Sequence, residues 1–470
     1  MMKIIINLIF CVIAGLMIYL APNRYDFDFC LQILILYIII NIIYFLGNKT
    51  INYNAANFDF FFMFSYGMTN FIYPVFYMNQ NPNVSVFALP FNTHIISKAT
   101  AIAYLGYTFY ILGITVYHKN KTKLKIIPKV EDNPKFKINN LFLRLIFLIG
   151  IVAFLGYVIT GGLTQLQNVY SGKNVSLSEV GTFSYFNNIF AICCNLLAIF
   201  VFLIKDIKTK ITIFIFLIIC SLLLLATGSR TTVLGIGLIL IAMYGRFIKK
   251  ITFPKLIFFL LIGSFIMTLV QLMREEAFSA DVWTKNIGKT KFDSTFDIFL
   301  DLIINNRNLY VLVDFADHYG NVYFLSTISE ITAPIPGLFS YVSSNIGIPI
   351  ELISGGALPT FIELGRDSEW GLGTNLVGET YIGFGYYGVC IIMFLIGLAI
   401  KSAQKSSSKN IYSFVIYYLL VSHAIFFPRA FYMYQPRTLI WSLLIVFLVL
   451  NLTKSLYKKD RNRNQDKLLN

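Results

Sequence analysis

Six arginines, Arg230, Arg274, Arg307, Arg366, Arg429 and Arg437, stand in or beside the polar segments that separate long apolar runs in this chain. A guanidinium is a planar fork of donors that keeps its charge when desolvated and pairs with phosphate or carboxylate through two hydrogen bonds at once. Arginines placed there would grip an anionic group. The same segments carry residue types that accept a proton: the Asp317-His318 pair, Glu369 beside Glu363 and Asp367, and Glu379. A carboxylate or imidazole held against a hydroxyl acts as a general base. Glu379 opens an apolar run, where a carboxylate is costly unless it is paired or functional.

Each position also has an ordinary structural explanation. Arg230, in LLATGSRTTVLG, could be a snorkelling charge at a helix end. Arg274, in QLMREE, could pair with Glu275 or Glu276, and Arg366, in ELGRDSEW, with Asp367. Arg307 could face lipid headgroups, Arg429 and Arg437 bracket an aromatic stretch, FFPRAFYMYQPRTL, and Glu379 could have an arginine partner.

The elements that must position these residues follow from composition. Of 470 residues 57% are hydrophobic and only 13% charged, with a mean hydropathy of +0.70. Soluble domains carry about 25% charged residues. A soluble enzyme, a nucleic-acid-binding domain and a disordered scaffold are therefore excluded, and an all-α polytopic membrane protein remains. A spanning helix needs roughly 20 mostly apolar residues. Twelve runs qualify, near 3–21, 29–46, 57–77, 95–117, 141–160, 184–204, 211–227, 231–245, 255–273, 376–400, 411–427 and 438–453. Residues 1–273 thus form nine spans, 274–375 a large extracytoplasmic loop, 376–453 three more spans and 454–470 a basic cytoplasmic tail. The first run, after Lys3 and with no small-residue cleavage site behind it, reads as an anchor.

Orientation follows the positive-inside rule. With both termini inside, the cytoplasmic segments hold 22 Lys and 4 Arg for a net +21, and the outer segments 5 Lys and 7 Arg for a net −5. The net charge of +15 is mostly a record of topology and calls for no nucleic-acid partner. Lysine is the default cation inside, yet arginine leads outside, which places the anion-binding face outward.

The long outer segment has structure of its own. Apolar residues at 298, 299, 302, 303, 310, 311 and 315 are spaced as in a helix with one wet face, lying at the membrane surface. Asp59, inside the third run, has no evident role. Asp26-Phe27-Asp28 is a DxD of the kind that can hold a divalent metal, although so short a match arises easily by chance. No nucleotide-binding glycine pattern occurs, and the six cysteines show no metal or disulfide spacing. No metal and no cofactor is expected.

A set of motifs then carries a resemblance. GSR lies between two spans, MREE opens the long loop, YGNVYFLSTISEITAPIPG follows, and GLGTNLVGETYIGFGYYGVCIIMFLIGL enters the tenth span. Its centre is GE.Y..FG..G, carried by Gly378, Glu379, Tyr381, Phe384, Gly385 and Gly388. In order and architecture the chain resembles the oligosaccharide repeat unit polymerases, the Wzy-type O-antigen polymerases of bacterial surface polysaccharide assembly. The resemblance implies a C-type glycosyltransferase membrane fold in the bacterial inner membrane and a metal-independent reaction. A growing glycan would pass from undecaprenyl pyrophosphate to a lipid-linked repeat unit, so donor and acceptor are both lipid-linked, with a chain-length regulator protein as a further candidate partner. The six arginines would then bind pyrophosphate, with Glu379, His318, Asp317 or Glu369 as catalytic residues. Related O-antigen ligases place a histidine in the outer loop near where the chain re-enters the membrane, where this chain has Thr374-Asn375 and His318 only further upstream.

Two other functions fit parts of the pattern. A flippase or exporter of lipid-linked oligosaccharide would also have about twelve spans, but would line a cavity with charges inside them; here nearly all charges sit at span ends. An O-antigen ligase runs the same type of reaction onto lipid A core, and the sequence leaves it open.

Overall fold

A computed structural model describes residues 2–46, 54–78, 91–119, 136, 138–162, 183–226, 230–263, 299–366, 371–433 and 435–469. All regular elements among them are helical. Nine helices among the described residues are long and apolar enough to cross a membrane: Met2–Tyr19, Phe27–Leu46, Thr93–Tyr117, Asn140–Ile159, Ser184–Leu203, Ile207–Leu225, Arg230–Phe247, Leu376–Ser406 and Pro436–Leu456. The chain is a multi-pass membrane protein. The other three predicted runs correspond to shorter helices. Phe58–Asn70 has 13 residues and spans about 20 Å, short of the roughly 30 Å of hydrocarbon. Phe253–Gly263 and Ile411–His423 are similarly short; residues 264–273 of the ninth run lie outside the described ones.

The chain divides into two compact units. One comprises Met1–Lys129, Lys250–Lys405 and His423–Pro436; the other comprises Val130–Lys249, Ser406–Ser422 and Arg437–Asn470.

In the first unit five helices matter most for the site: α1 (Phe58–Asn70), α2 (Ile96–Lys119), α3 (Asn306–Tyr319), α4 (Leu358–Leu364) and α5 (Leu376–Ser406). Asn57 caps α1 by accepting from the Phe60 amide, the usual service of a short polar side chain at a helix start. Asp26 caps Phe27–Leu46 in the same way, accepting from the Phe29 amide at 2.8 Å, so half of the DxD has a structural task. Asp59 is buried with Lys401 at 3.6 Å and accepts from the Tyr44 hydroxyl at 2.7 Å. That pairing answers the penalty on a carboxylate within a membrane segment.

Helix α3 departs from the sequence expectation. The spacing predicts one wet face, but residues 306 to 313 are buried without a break. The helix packs against α1, α2 and α4, and in its polar run Asn306-Arg307-Asn308 each side chain donates to a protein partner.

The second unit packs Asn140–Ile159 closely on Phe183–Phe200. Arg246 is buried there and donates to Ser407, Ser408 and Tyr418, with the Phe247 and Phe414 rings beside its guanidinium.

Candidate active site

Three helix ends of the first unit meet: the C-terminus of α1 and the N-termini of α3 and α5. Their junction is made of asparagines. Asn375 caps α5, accepting from the Val377 amide at 2.9 Å and the Gly378 amide at 3.2 Å. Its amide donates to Asn70, the last residue of α1, at 2.9 Å. Asn306, in the first turn of α3, donates to the Thr69 carbonyl at 2.7 Å, one of the acceptors that a helix end leaves without an internal partner. Asn308 donates to Asn305 and to the Leu372 carbonyl. All of these asparagines are buried. The Asn306 Oδ1 and Thr69 Oγ1 atoms have no partner among the described residues.

Glu379 sits in the first turn of α5 and is 1% exposed. Thr374 donates to its Oε1 at 2.5 Å and the Gly356 amide at 3.1 Å. Among the described residues both of its hydrogen bonds fall on that one oxygen, and no cation lies within ion-pair distance. Among the described residues it has no arginine partner of the kind that would make it a plain structural residue. Beside it, burial pushes the Tyr432 phenol up to about 12, and the Glu379 charge adds to that.

The family-like motif becomes geometry at this point. A Cβ on Gly378 would meet Leu312 Cδ1 at 2.8 Å, so its bareness lets α5 lie directly on α3. Tyr381 donates to Asp317 at 2.9 Å. Phe384 packs edge-on against Phe324 at 4.8 Å. Gly385, at φ 64° and ψ −154°, breaks α5 in a region essentially reserved for glycine. Residues 386–406 after the break are long enough to span; the piece carrying Glu379 precedes them as a separate short helix.

Arg307 is 2% exposed and forms an ion pair with Glu363 of α4. Burial pulls its guanidinium below the ordinary value and the Glu363 carboxylate opposes that shift. Its Nε has no acceptor among the described residues. Arg429 donates to Asp301 at 2.7 Å, and Arg366 lies 3.7 Å from Glu351. Asp317 and His318 belong to a second, more exposed cluster: Asp317 bonds to Lys98 at 2.5 Å, and His318 Nδ1 lies 2.9 Å from the Asp314 carbonyl oxygen. Arg230 and Arg437 are in the second unit, where Arg437 stands over Tyr185 and Trp441. Arg274, Asp367 and Glu369 lie outside the described residues.

Sequence reasoning named Glu379 and Arg307, which the structure buries, and Asn375, but passed over Asn70, Asn305, Asn306 and Asn308. The available signal was the run INNRN, four polar residues at the head of an otherwise apolar helix.

The family model described as O-antigen polysaccharide polymerase Wzy matches residues 2–461 of the chain. No curated protein sequence matches it, and no solved structure does.

Proposed function

The chain belongs to the O-antigen polysaccharide polymerase Wzy family, and from that premise we propose that it joins undecaprenyl-pyrophosphate-linked oligosaccharide repeat units by glycosyl transfer at the outer face of the inner membrane, with Glu379 as general base. The supporting observation is a buried carboxylate fixed through one oxygen by Thr374 and Gly356, with no cation beside it among the described residues. The other oxygen accepts the proton of a sugar hydroxyl on the acceptor repeat unit. That hydroxyl oxygen bonds to the anomeric carbon of the donor glycan as the bond from that carbon to pyrophosphate breaks, and undecaprenyl pyrophosphate leaves with both electrons of the bond.

The leaving group gains charge as the bond breaks, and fixed cations aimed at it stabilise that change. Arg307, held in place by Glu363, and Arg429, whose present partner Asp301 is exposed, are two candidates in the same unit. Arg230, Arg274, Arg366 and Arg437 remain candidates on sequence grounds. Neither a nucleotide nor a metal has a role in this scheme. The two helix N-termini at the junction add positive potential.

The test is a lipopolysaccharide gel from a deletion strain complemented in turn with Glu379→Gln, Glu379→Asp and the wild type, with protein amounts measured in membranes. Glu379→Gln keeps the Thr374 and Gly356 bonds but cannot take a proton. The expected result is loss of the long-chain ladder, leaving core bearing one repeat unit; removing a general base typically costs about 10²–10⁴-fold in rate. A wild-type ladder from Glu379→Gln would overturn the assignment of the base. A deletion strain lacking even the single repeat on core would identify a ligase instead.

A further inference from the structure

The first unit carries an apolar cavity of about 420 Å³ between Phe27–Leu46 and α1. Leu34, Ile38 and Ile42 form one wall at four-residue spacing, Met63 and Met68 the facing one, and Phe253 closes the side. Its polar lining atoms are already engaged: Tyr37 donates to the Met63 carbonyl, and Asn41 bonds to the Tyr37 carbonyl and to Tyr107. The walls therefore offer a ligand only apolar contact. The volume lies in the range of ordinary ligand sites, roughly 300–1,000 Å³, but the form is a slot: Leu34 to Leu46 covers about 18 Å of helix. One end lies beside the candidate active site, because Met68 and Asn70 belong to the same turn of α1. One face of that turn lines the slot, and the other holds Asn375.

We propose that this slot receives part of the isoprenoid chain of a lipid-linked substrate, seating the tail on one face of α1 while the pyrophosphate and sugars reach the asparagine junction on the other. The inference rests on the reading of the chain as a polymerase of polyprenyl-linked units and adds the tail site to it. An elongated, apolar slot leading to a polar junction matches the two halves of such a molecule. Ile38 and Ile42 are exposed at the slot's open side, so enlarging them fills it without disturbing the core.

The test uses the full-length protein in nanodiscs of fixed phospholipid composition. A polyprenyl diphosphate with a diazirine within its isoprenoid chain is photolysed, and labelled peptides are mapped. Label in segments 34–46 and 63–72 is expected, competed by unmodified polyprenyl phosphate and not by added phospholipid. Ile38→Trp and Ile42→Trp should each raise the KM for a long-chain lipid-linked repeat unit about tenfold, with kcat and the KM for a short-prenyl donor unchanged. Equal labelling by a diazirine phospholipid without competition by polyprenyl phosphate overturns the slot as a tail site, as does wild-type KM in both variants. The polymerase reading fails separately: label would enter the slot while the wild-type protein forms no polymer from the lipid-linked units.

Discussion

Removing either member of the Arg307–Glu363 pair leaves the other charge among neighbours that cannot solvate it. Breaking a buried ion pair from one side costs about 3–5 kcal/mol, whereas replacing both partners with apolar residues of similar volume is often neutral. That asymmetry separates holding the fold from binding an anion. Glu363→Gln should lower the melting temperature in detergent, and the double variant Arg307→Met with Glu363→Leu should restore it. If Arg307 also meets the substrate pyrophosphate, the restored double variant still makes no long-chain ladder; a normal ladder from it would reduce the pair to a structural brace. Of these residues, Glu379 was legible in sequence because a carboxylate at the head of an apolar run demands an explanation. The partner of Arg307 was not, since Glu363 lies 56 positions away in sequence and nothing in either segment's periodicity pairs them. The burial of the asparagines was not legible for a related reason. Letters that read as wet in a one-dimensional pattern are buried when helix ends supply the hydrogen-bonding groups that water would otherwise provide.

Broken helices do the positioning at the next scale. An uninterrupted helix through Leu376–Ser406 would exceed the span it has to cross, and Gly385 divides it so that the Glu379 piece can turn back onto α3. Any side chain at that φ and ψ costs on the order of 1–3 kcal/mol. Gly385→Ala should therefore lower the melting temperature and shorten the polysaccharide ladder together, because relieving the strain straightens the helix and withdraws Glu379 from Thr374 and Gly356. An Ala variant with wild-type melting and ladder would show that the break is not required. The nine long spans were legible from apolar run length alone. Helix α1 was not, because its apolar run continues to Tyr77 through Pro74 while the α-helix stops at Asn70. Run length measures how much apolar chain is present, and a proline-containing π-turn hides where the hydrogen-bond ladder ends. Discontinuous helices at substrate sites are a recurrent device in membrane proteins, since an unwound end exposes backbone polar groups that ligand or side chains can use.

Over the whole molecule, the distribution of cations predicts which side of the membrane carries the site. Lysine dominates the segments assigned inside, above all 118–140 and the tail, and this asymmetry sets orientation because positive loops resist translocation. Arginine prevails in the segments assigned outside, including those bearing Arg307 and Arg429. Both statements depend on one topology, so one measurement tests them together. Single cysteines introduced by Lys123→Cys, Asn470→Cys and Ser344→Cys in the full-length chain can be probed in spheroplasts with a membrane-impermeant maleimide; of the six native thiols, four are buried and two only partly exposed. Ser344 lies on Leu338–Ile346, which buries none of its residues, so its cysteine should label at once, whereas the cysteines at 123 and 470 should label only after permeabilisation. The reverse pattern would move the Glu379 junction to the cytoplasmic face. A lipid pyrophosphate presented outside could not reach it there, and the arginine bias would lose its meaning as an anion site. With the expected pattern, the +15 charge of the chain resolves into two effects: lysines that fix the orientation, and a smaller number of arginines that the orientation places where a lipid-linked anion arrives.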